Sequence, residues 1–291
     1  MPEAVKTERL IERRMKRMKK ETVNVVLALV LVVFTSWSMA NGQAAQPSKG
    51  GAASEGSKWE FTLTPYMWAP TIDSKVTVGG YDAETTTTFS DIWRNLNAAG
   101  MLHFEARKEK VGFFLDPMYM KLRADGTFKR RRDPNVPAIP RDLTLTYEQW
   151  IVEFGGFYQV GKRPVGQSKR QWMTLDILGG GRYWWVRADL DTSTVINPTR
   201  TNQWVDPIIG ARFTADLTSK LIFNIRGDIG GFGVGSDFTW NGIAVFGYRF
   251  SDRITGLLGY RALYIDYKNG SGGARYEETI HGPIMGLAFV F

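Results

Sequence analysis

The sequence predicts an all-β fold: a transmembrane, antiparallel, up-and-down β-barrel of about ten strands (range roughly 8–12) behind a signal peptide. Three observations lead there. From Trp59 onward apolar and polar residues alternate with period two, strand after strand. The polar face carries charge in mid-strand, while the apolar face continues from each strand to the next. A soluble barrel would turn that apolar face inward; a membrane barrel turns it to lipid. The chain also has a leader, no cysteine, and a terminal aromatic, Phe291.

The leader comes first. Val25 to Phe34 is an unbroken apolar run preceded by Lys16, Arg17, Lys19 and Lys20, and Ser38-Met39-Ala40 follows. A basic region, a short apolar region and a small-x-small site define a secretory signal. Residues 1–40 are read as that signal, cut after Ala40, with Ala44 as a second site. Met15 or Met18 would give a more ordinary length. The alternative is an uncleaved anchor helix, for which ten apolar residues are short against a span of about 20. Residues 41–58, rich in Gly, Ala and Ser, read as a flexible mature N-terminus. Residues 59–291 form the barrel.

Strands are expected near 59–69, 97–109, 111–124, 142–160, 171–189, 205–217, 220–232, 237–250, 253–267 and 275–291. With the C-terminus in the periplasm, the inner joins fall at Glu109-Lys110, Gly161–Arg170, Thr218-Ser219 and Ser251-Asp252. The outer joins fall at 70–96, 125–141, 190–204, 233–236 and 268–274. Short inner turns and longer outer loops are the asymmetry such barrels show. Within 70–96, Val76–Val78 and Glu84–Phe89 suggest an extra hairpin, which would make twelve strands if it joined the wall. Ser90-Asp91 then caps a helical turn over Ile92–Leu96, placed outside or in the lumen. In strand 142–160, Glu148 and Glu153 cannot both face inward without a bulge. At the end, Met285, Leu287, Phe289 and Phe291 share one face and serve as a C-terminal assembly signal for the barrel assembly machinery.

Composition limits the function. Among 291 residues, 37 Lys and Arg against 29 Asp and Glu give a formal charge of +8. Residues 1–40 hold eight of the basic and four of the acidic groups, so 29 and 25 remain, a net of +4. Half the excess belongs to the leader, and nucleic acid is not an expected partner. The lack of cysteine excludes disulfide scaffolds, thiolate metal sites and cysteine nucleophiles. No cofactor or metal is expected.

Several blocks carry a resemblance. Thr64-Pro65-Tyr66-Met67-Trp68, Phe89-Ser90-Asp91-Ile92-Trp93-Arg94-Asn95-Leu96, His103-Phe104-Glu105-Ala106-Arg107, Arg226-Gly227-Asp228-Ile229-Gly230-Gly231-Phe232-Gly233 and Leu258-Gly259-Tyr260-Arg261 are the blocks in question. Together, over Trp59 to Phe291, the chain resembles a family of uncharacterised Gram-negative outer-membrane β-barrel proteins. The resemblance implies fold and location, and no substrate or catalytic residues.

Parity defines a lumen-facing charged network: His103, Glu105, Arg107, Asp116, Asp176, Arg182, Asp206, Arg212, Asp216, Arg226, Asp228, Arg249 and Arg261. Both signs alternate. In a narrow lumen they would pair, with Arg212, Arg226, Asp216 and Asp228 as the expected partners across strands 205–217 and 220–232. That favours structural packing; the alternative is a narrow selective pore for a small solute. Catalysis would fall to His103 or His281, with no serine placed against either by sequence, so an enzyme acting on outer-membrane lipid is a minor alternative and the chain is read as a non-enzyme. Gly227–Gly235 is not a phosphate loop, since no Gly-Lys-Ser/Thr follows. Lys129-Arg130-Arg131-Arg132 and Arg141 form a basic outer cluster suited to lipopolysaccharide phosphates or to plain solvation. Outer loops also admit an adhesion or envelope-interaction role. Trp68, Trp93, Trp150, Trp172, Trp184, Trp185, Trp204 and Trp240 are read as membrane-interface girdles, with outer-membrane lipids as neighbours.

Overall fold

The computed structural model describes residues 58–78, 81–130, 139–165, 171–192, 199–268 and 275–291. The leader and residues 41–57 lie outside them. The described elements are β1 (Glu60–Trp68), β2 (Thr71–Val78), β3 (Tyr81–Thr87), α1 (Phe89–Asn95), β4 (Leu96–Lys108), β5 (Val111–Arg130), β6 (Ile139–Val165), β7 (Gln171–Thr192), β8 (Thr199–Asp216), β9 (Leu221–Gly231), β10 (Phe238–Arg249), β11 (Ile254–Lys268) and β12 (Arg275–Val290). β1 pairs with β4 on one side and β12 on the other, so β1 and β4 to β12 close a ten-stranded antiparallel barrel. Closure removes the unpaired edges that an open sheet would expose to hydrocarbon.

Burial is inverted relative to a soluble protein. Phe113, Leu115, Phe154, Ile177, Ile209, Ile225, Phe246, Leu258 and Met285 stand exposed on the outer wall, whereas Glu153, Asp176, Arg182 and Arg261 are buried inside. Exposed Trp150, Trp240 and Tyr260 edge this apolar belt at the loop end, and Trp59, Tyr158, Trp172 and Tyr248 edge it at the turn end. An apolar band between aromatic girdles is the surface of a barrel in lipid. Three tryptophans expected in the girdles instead face the lumen. Trp68 and Trp184 are buried, and Trp184 stacks on Trp204 with centroids 5.6 Å apart. Their even parity on β1, β7 and β8 turns them inward.

Several strands outrun the belt. β5 continues to Arg130 and β6 begins at Ile139, with the ladder unbroken from Val111↔Tyr158 to Arg130↔Ile139. Above the belt the outward positions become polar. Lys121 pairs with Glu148 at 2.5 Å, and Arg275 with Asp266 at 2.6 Å. The conflict between Glu148 and Glu153 resolves here. Glu153 faces the lumen and Glu148 faces out above the belt, so no bulge separates them. The irregularity lies instead at Gln159/Gly161.

The expected extra hairpin forms, as β2 and β3, with longer bounds. It does not enter the wall. β12 pairs with β1 from Val290 up to Ile284, then with β2 from His281 to Arg275. The Ala69 N–H donates to Pro283 O at 2.9 Å across the join. β2, β3 and the upper strands thus make a turret on the barrel. The chain returns through α1, which begins one turn earlier than expected. Thr88 is its N-cap, because Asp91 reaches back to the Thr88 N–H at 3.2 Å and hydroxyl at 2.6 Å. The helix packs its Ile92 into an apolar layer with Trp68, Ile72, Met118, Ile151, Leu263, Ile265 and Ile280. That layer roofs the lumen.

One turret group titrates. Glu278 on β12, above the belt, is buried and accepts from the Ser74 hydroxyl at 3.2 Å and from the Tyr276 hydroxyl. Burial pushes its carboxyl up to about 7, against the opposing effect of Ser74. The folded form therefore holds a proton that the unfolded chain releases near 4.5, so this stability is present at acid pH and is lost as pH rises through about 7. Amide exchange at Ile72–Ser74 and Thr279–Ile280, corrected for intrinsic rates, should accelerate as pH rises from about 4.5 to about 7. Glu278→Gln should flatten that dependence; an identical profile in the variant would refute it.

Candidate functional site

The interior of the wall is the candidate site. Strand period two sends alternate residues inward, and the sequence puts its charges on that parity. Glu153 on β6 is the hub. Its Oε1 accepts from Arg182 Nε at 3.0 Å and Arg261 Nη2 at 2.5 Å, and its Oε2 accepts from Arg226 Nη2 at 3.0 Å. Asp228 takes Arg182 Nη2 at 2.7 Å and Asn241 Nδ2 at 2.9 Å, and pairs with Arg226 at 3.0 Å. Arg261 Nε donates to Asn241 Oδ1 at 3.0 Å, and Arg182 Nη1 to Thr239 Oγ1 at 3.1 Å. Five strands, β6, β7, β9, β10 and β11, are bolted together through one carboxylate and its partners.

Toward the turn end lies a second layer. Asp116 accepts from the Tyr66 hydroxyl at 2.6 Å and lies 2.9 Å from His103 Nδ1. His103 Nε2 is 3.8 Å from Glu105. Arg212 binds both Glu105 and Asp176, the latter at 2.8 Å, and Arg107 reaches Asp176 at 2.9 Å. Arg107 and Arg212 both lie over the Phe157 ring, at 4.6 and 4.5 Å. Nearest the turns, Arg249 pairs with Asp216 at 2.5 Å. Toward the loop end, Asp206 accepts from Trp184 Nε1 at 2.9 Å and from the Ser236 N–H at 2.6 Å.

Each of the thirteen residues that parity places inward has at least one polar partner. The expected pairing across β8 and β9 does not form; of the quartet only Arg226 and Asp228 pair, both on β9. Arg212 meets Glu105 and Asp176, Arg226 meets Glu153 and Asp228, and Asp216 meets Arg249. The reason is axial position. Arg212 faces Arg226 in the β8–β9 ladder, so each guanidinium turns to a carboxylate on another strand. Glu153, Tyr66 and Asn241 were outside the expected network. Trp150 offered a signal for Glu153: placed in the outer girdle, it fixes the odd positions of β6, Glu153 included, on the lumen side.

Five guanidinium groups (Arg107, Arg182, Arg212, Arg226, Arg261) face five carboxylates (Glu105, Asp116, Glu153, Asp176, Asp228) in the two central layers. Side-chain exposure grades along the axis. It is 0% for Glu153, Arg182 and Arg261, 7% for Arg226, 14% for Arg212, 23% for Arg107 and 35% for Arg249. Exposure thus falls from the turn end to nothing at the hub. His103 touches two acids, an orienting arrangement with no nucleophile in it. His281 stands on the outer face, its Nε2 3.0 Å from Asp73 and its Nδ1 2.6 Å from the Tyr260 hydroxyl. Lys129 and Arg130 end β5, and Arg131 and Arg132 lie outside the described residues, so that basic cluster has no described geometry.

No family model matches the chain, and no curated protein matches it. Among solved structures it is similar to Ail, the attachment invasion locus protein of Yersinia pestis, crystallised with the heparin analogue sucrose octasulfate. Identity is 10% and the TM-score 0.34, over 80% of this chain and 99% of that one. It is similar to the translocator domain of the autotransporter NalP from Neisseria meningitidis, with 11% identity and a TM-score of 0.37, over 81% and 89%. It is also similar to neisserial surface protein A, with 12% identity and a TM-score of 0.25, over 81% and 99%.

Proposed function

We propose that the protein is an integral outer-membrane barrel with a sealed lumen, a structural envelope protein rather than a pore or an enzyme. One observation carries this reading: Glu153 is fully buried in mid-lumen, where it bonds buried Arg182 on the adjacent strand and buried Arg261 on β11, five strands away round the wall. A conducting path would have to break charge-assisted bonds that no water replaces. The leader at 1–40, cut after Ala40, and the tail 41–58 would deliver the barrel through the periplasm. The tight joins and both ends of the barrel domain then face that compartment. The resemblance to Gram-negative outer-membrane barrels agrees with this.

Purified protein in a planar bilayer should show no steady conductance. Arg226→Ala should lower stability and admit ions, since it strands Glu153 and Asp228. Measurable wild-type conductance, with altered ion preference and unchanged stability in Arg226→Ala, would promote the narrow pore for a small solute.

The C-terminal run Met285, Leu287, Phe289 and Phe291 serves as the assembly signal. Phe291 also closes the seam. Its N–H and C=O both bond to Phe61 at 3.0 Å, and their rings stack with centroids 6.0 Å apart. Phe291→Asp should impair insertion, read as loss of the heat-modifiable gel band. Normal insertion would count against both roles.

A second reading, an adhesion or envelope-interaction protein, is favoured by the turret, which raises a paired sheet beyond the lipid belt. The basic cluster at Lys129 to Arg132 with Arg141 would there meet lipopolysaccharide phosphates.

A further inference from the structure

Where the turret meets the wall, the outer face carries a chain of polar groups that the lumen does not use. It crosses four neighbouring strands. From β3 the Thr86 hydroxyl donates to Asp73 Oδ1 at 2.6 Å. On β2 the other oxygen of Asp73, Oδ2, lies 3.0 Å from His281 Nε2. On β12 the second nitrogen of that ring, Nδ1, lies 2.6 Å from the Tyr260 hydroxyl of β11. An ionised carboxylate only accepts, so Nε2 carries the proton of the neutral imidazole and Nδ1 is left to accept from the phenol. Carboxylate, imidazole and hydroxyl in this order are the arrangement that activates a nucleophile: a base within hydrogen-bond reach, held in one tautomer by a third group. Tyr260 is 48% exposed, and its ladder partners Ala244 and Pro283 have side chains too short to cover its ring.

We propose that Tyr260 is a covalent acceptor for an acyl group, with His281 as its base and Asp73 as the positioning residue behind it. The phenol oxygen attacks the acyl carbonyl carbon, and its proton passes to His281 Nδ1. The bond to the leaving group breaks, and that group departs with the electron pair and takes up the proton. Two features select the donor. Leu258 lies two residues from Tyr260 on the same face, flanked by Phe246 and Met285, and all three stand exposed, so an acyl tail has an apolar surface to lie on that a phosphoryl group could not use. A phenolate is also a better leaving group than an alkoxide, so an ordinary glycerol ester would take its acyl group back. The donor is therefore an activated one: a thioester, an acyl phosphate or an aryl ester. The event occurs once per barrel without turnover, so it stands beside the sealed-lumen reading and does not rest on it.

The test treats purified full-length barrel in detergent with 4-nitrophenyl hexanoate, following nitrophenolate by absorbance and the acyl mark by peptide mass spectrometry. The expected result is a mark on Tyr260 that grows at least about tenfold faster than on Tyr248. Tyr248 is the internal standard, 46% exposed on the same wall with no imidazole beside it. His281→Gln should make the two rates equal while the folded gel band persists. Asp73→Asn should lower the preference, since an amide can donate to Nε2 and turn the ring to the tautomer that cannot accept from the phenol, and Asp73→Glu should restore it. Equal marking of the two tyrosines in the wild type, nitrophenolate release with no mark on Tyr260, or a preference that survives His281→Gln each overturns the proposal. The comparison of the two tyrosines needs only the wild-type protein, so it decides even if no variant folds.

Discussion

Replacing Glu153 with alanine is expected to be the most damaging single change in the lumen. The substitution leaves Arg182, Arg226 and Arg261 without the carboxylate they share, in a place where water does not reach. Removing one partner from a buried ion pair costs about 3–5 kcal/mol, and here three guanidiniums lose theirs together. Urea titration in lipid vesicles, followed by tryptophan fluorescence, should show a much lower midpoint or no folded population. Arg249→Ala is the contrast. Its pair with Asp216 sits at the open end, 35% exposed on the arginine side, and should cost about 0–1 kcal/mol. Equal effects of the two substitutions would show that the hub is no more structural than a surface pair.

Gly180→Val should rival it by a different route. Gly155 and Gly180 pair residue to residue across β6 and β7. A Cβ on Gly180 would lie 2.0 Å from Phe154 O, and one on Gly155 2.4 Å from Gly179 O. Those contacts are backbone to backbone, so no side chain can swing away. The two strands must separate where their ladder is continuous, and the cost should exceed the usual range of about 1–3 kcal/mol for overpacking. The folded, heat-modifiable species should be lost. Gly227→Val makes the control, since a Cβ there meets nothing within 4 Å, and it should fold normally. A stable Gly180→Val barrel would mean that β6 and β7 approach less closely than described.

Parity made most of the fold legible. Charged residues at every second position of the strands can lie only on one face, so Asp176, Arg182, Arg212 and Arg226 declared the lumen without any knowledge of partners. Axial height was not legible. Whether Arg212 meets Asp216 or Asp176 depends on strand tilt and stagger, which alternation does not encode. The inward tryptophans were legible by parity, since Trp184 alternates with Arg182 and Trp204 with Asp206, but their girdle height in sequence outweighed it. Glu153 was obscured by Glu148, because two glutamates five residues apart were both assigned to the membrane. The length of β6, which carries Glu148 above the belt, separates them, as does the parity of Trp150. The helical turn was readable from Asp91, but its start was not, because Thr88 also fits the end of a strand.

The double partnership of β12 dictates an order of events. Thr62 and Val290 pair although they stand 228 positions apart (290 less 62), and Thr71 likewise waits for His281. β12 is the last of these strands in chain order. Until it arrives, β1 has a bare edge and the β2–β3 hairpin has no neighbour on the β2 side. Neither wall nor turret can be finished before β12 docks, and contacts this distant are slow to form. Docking of β12 is therefore a single event that fixes both halves at once.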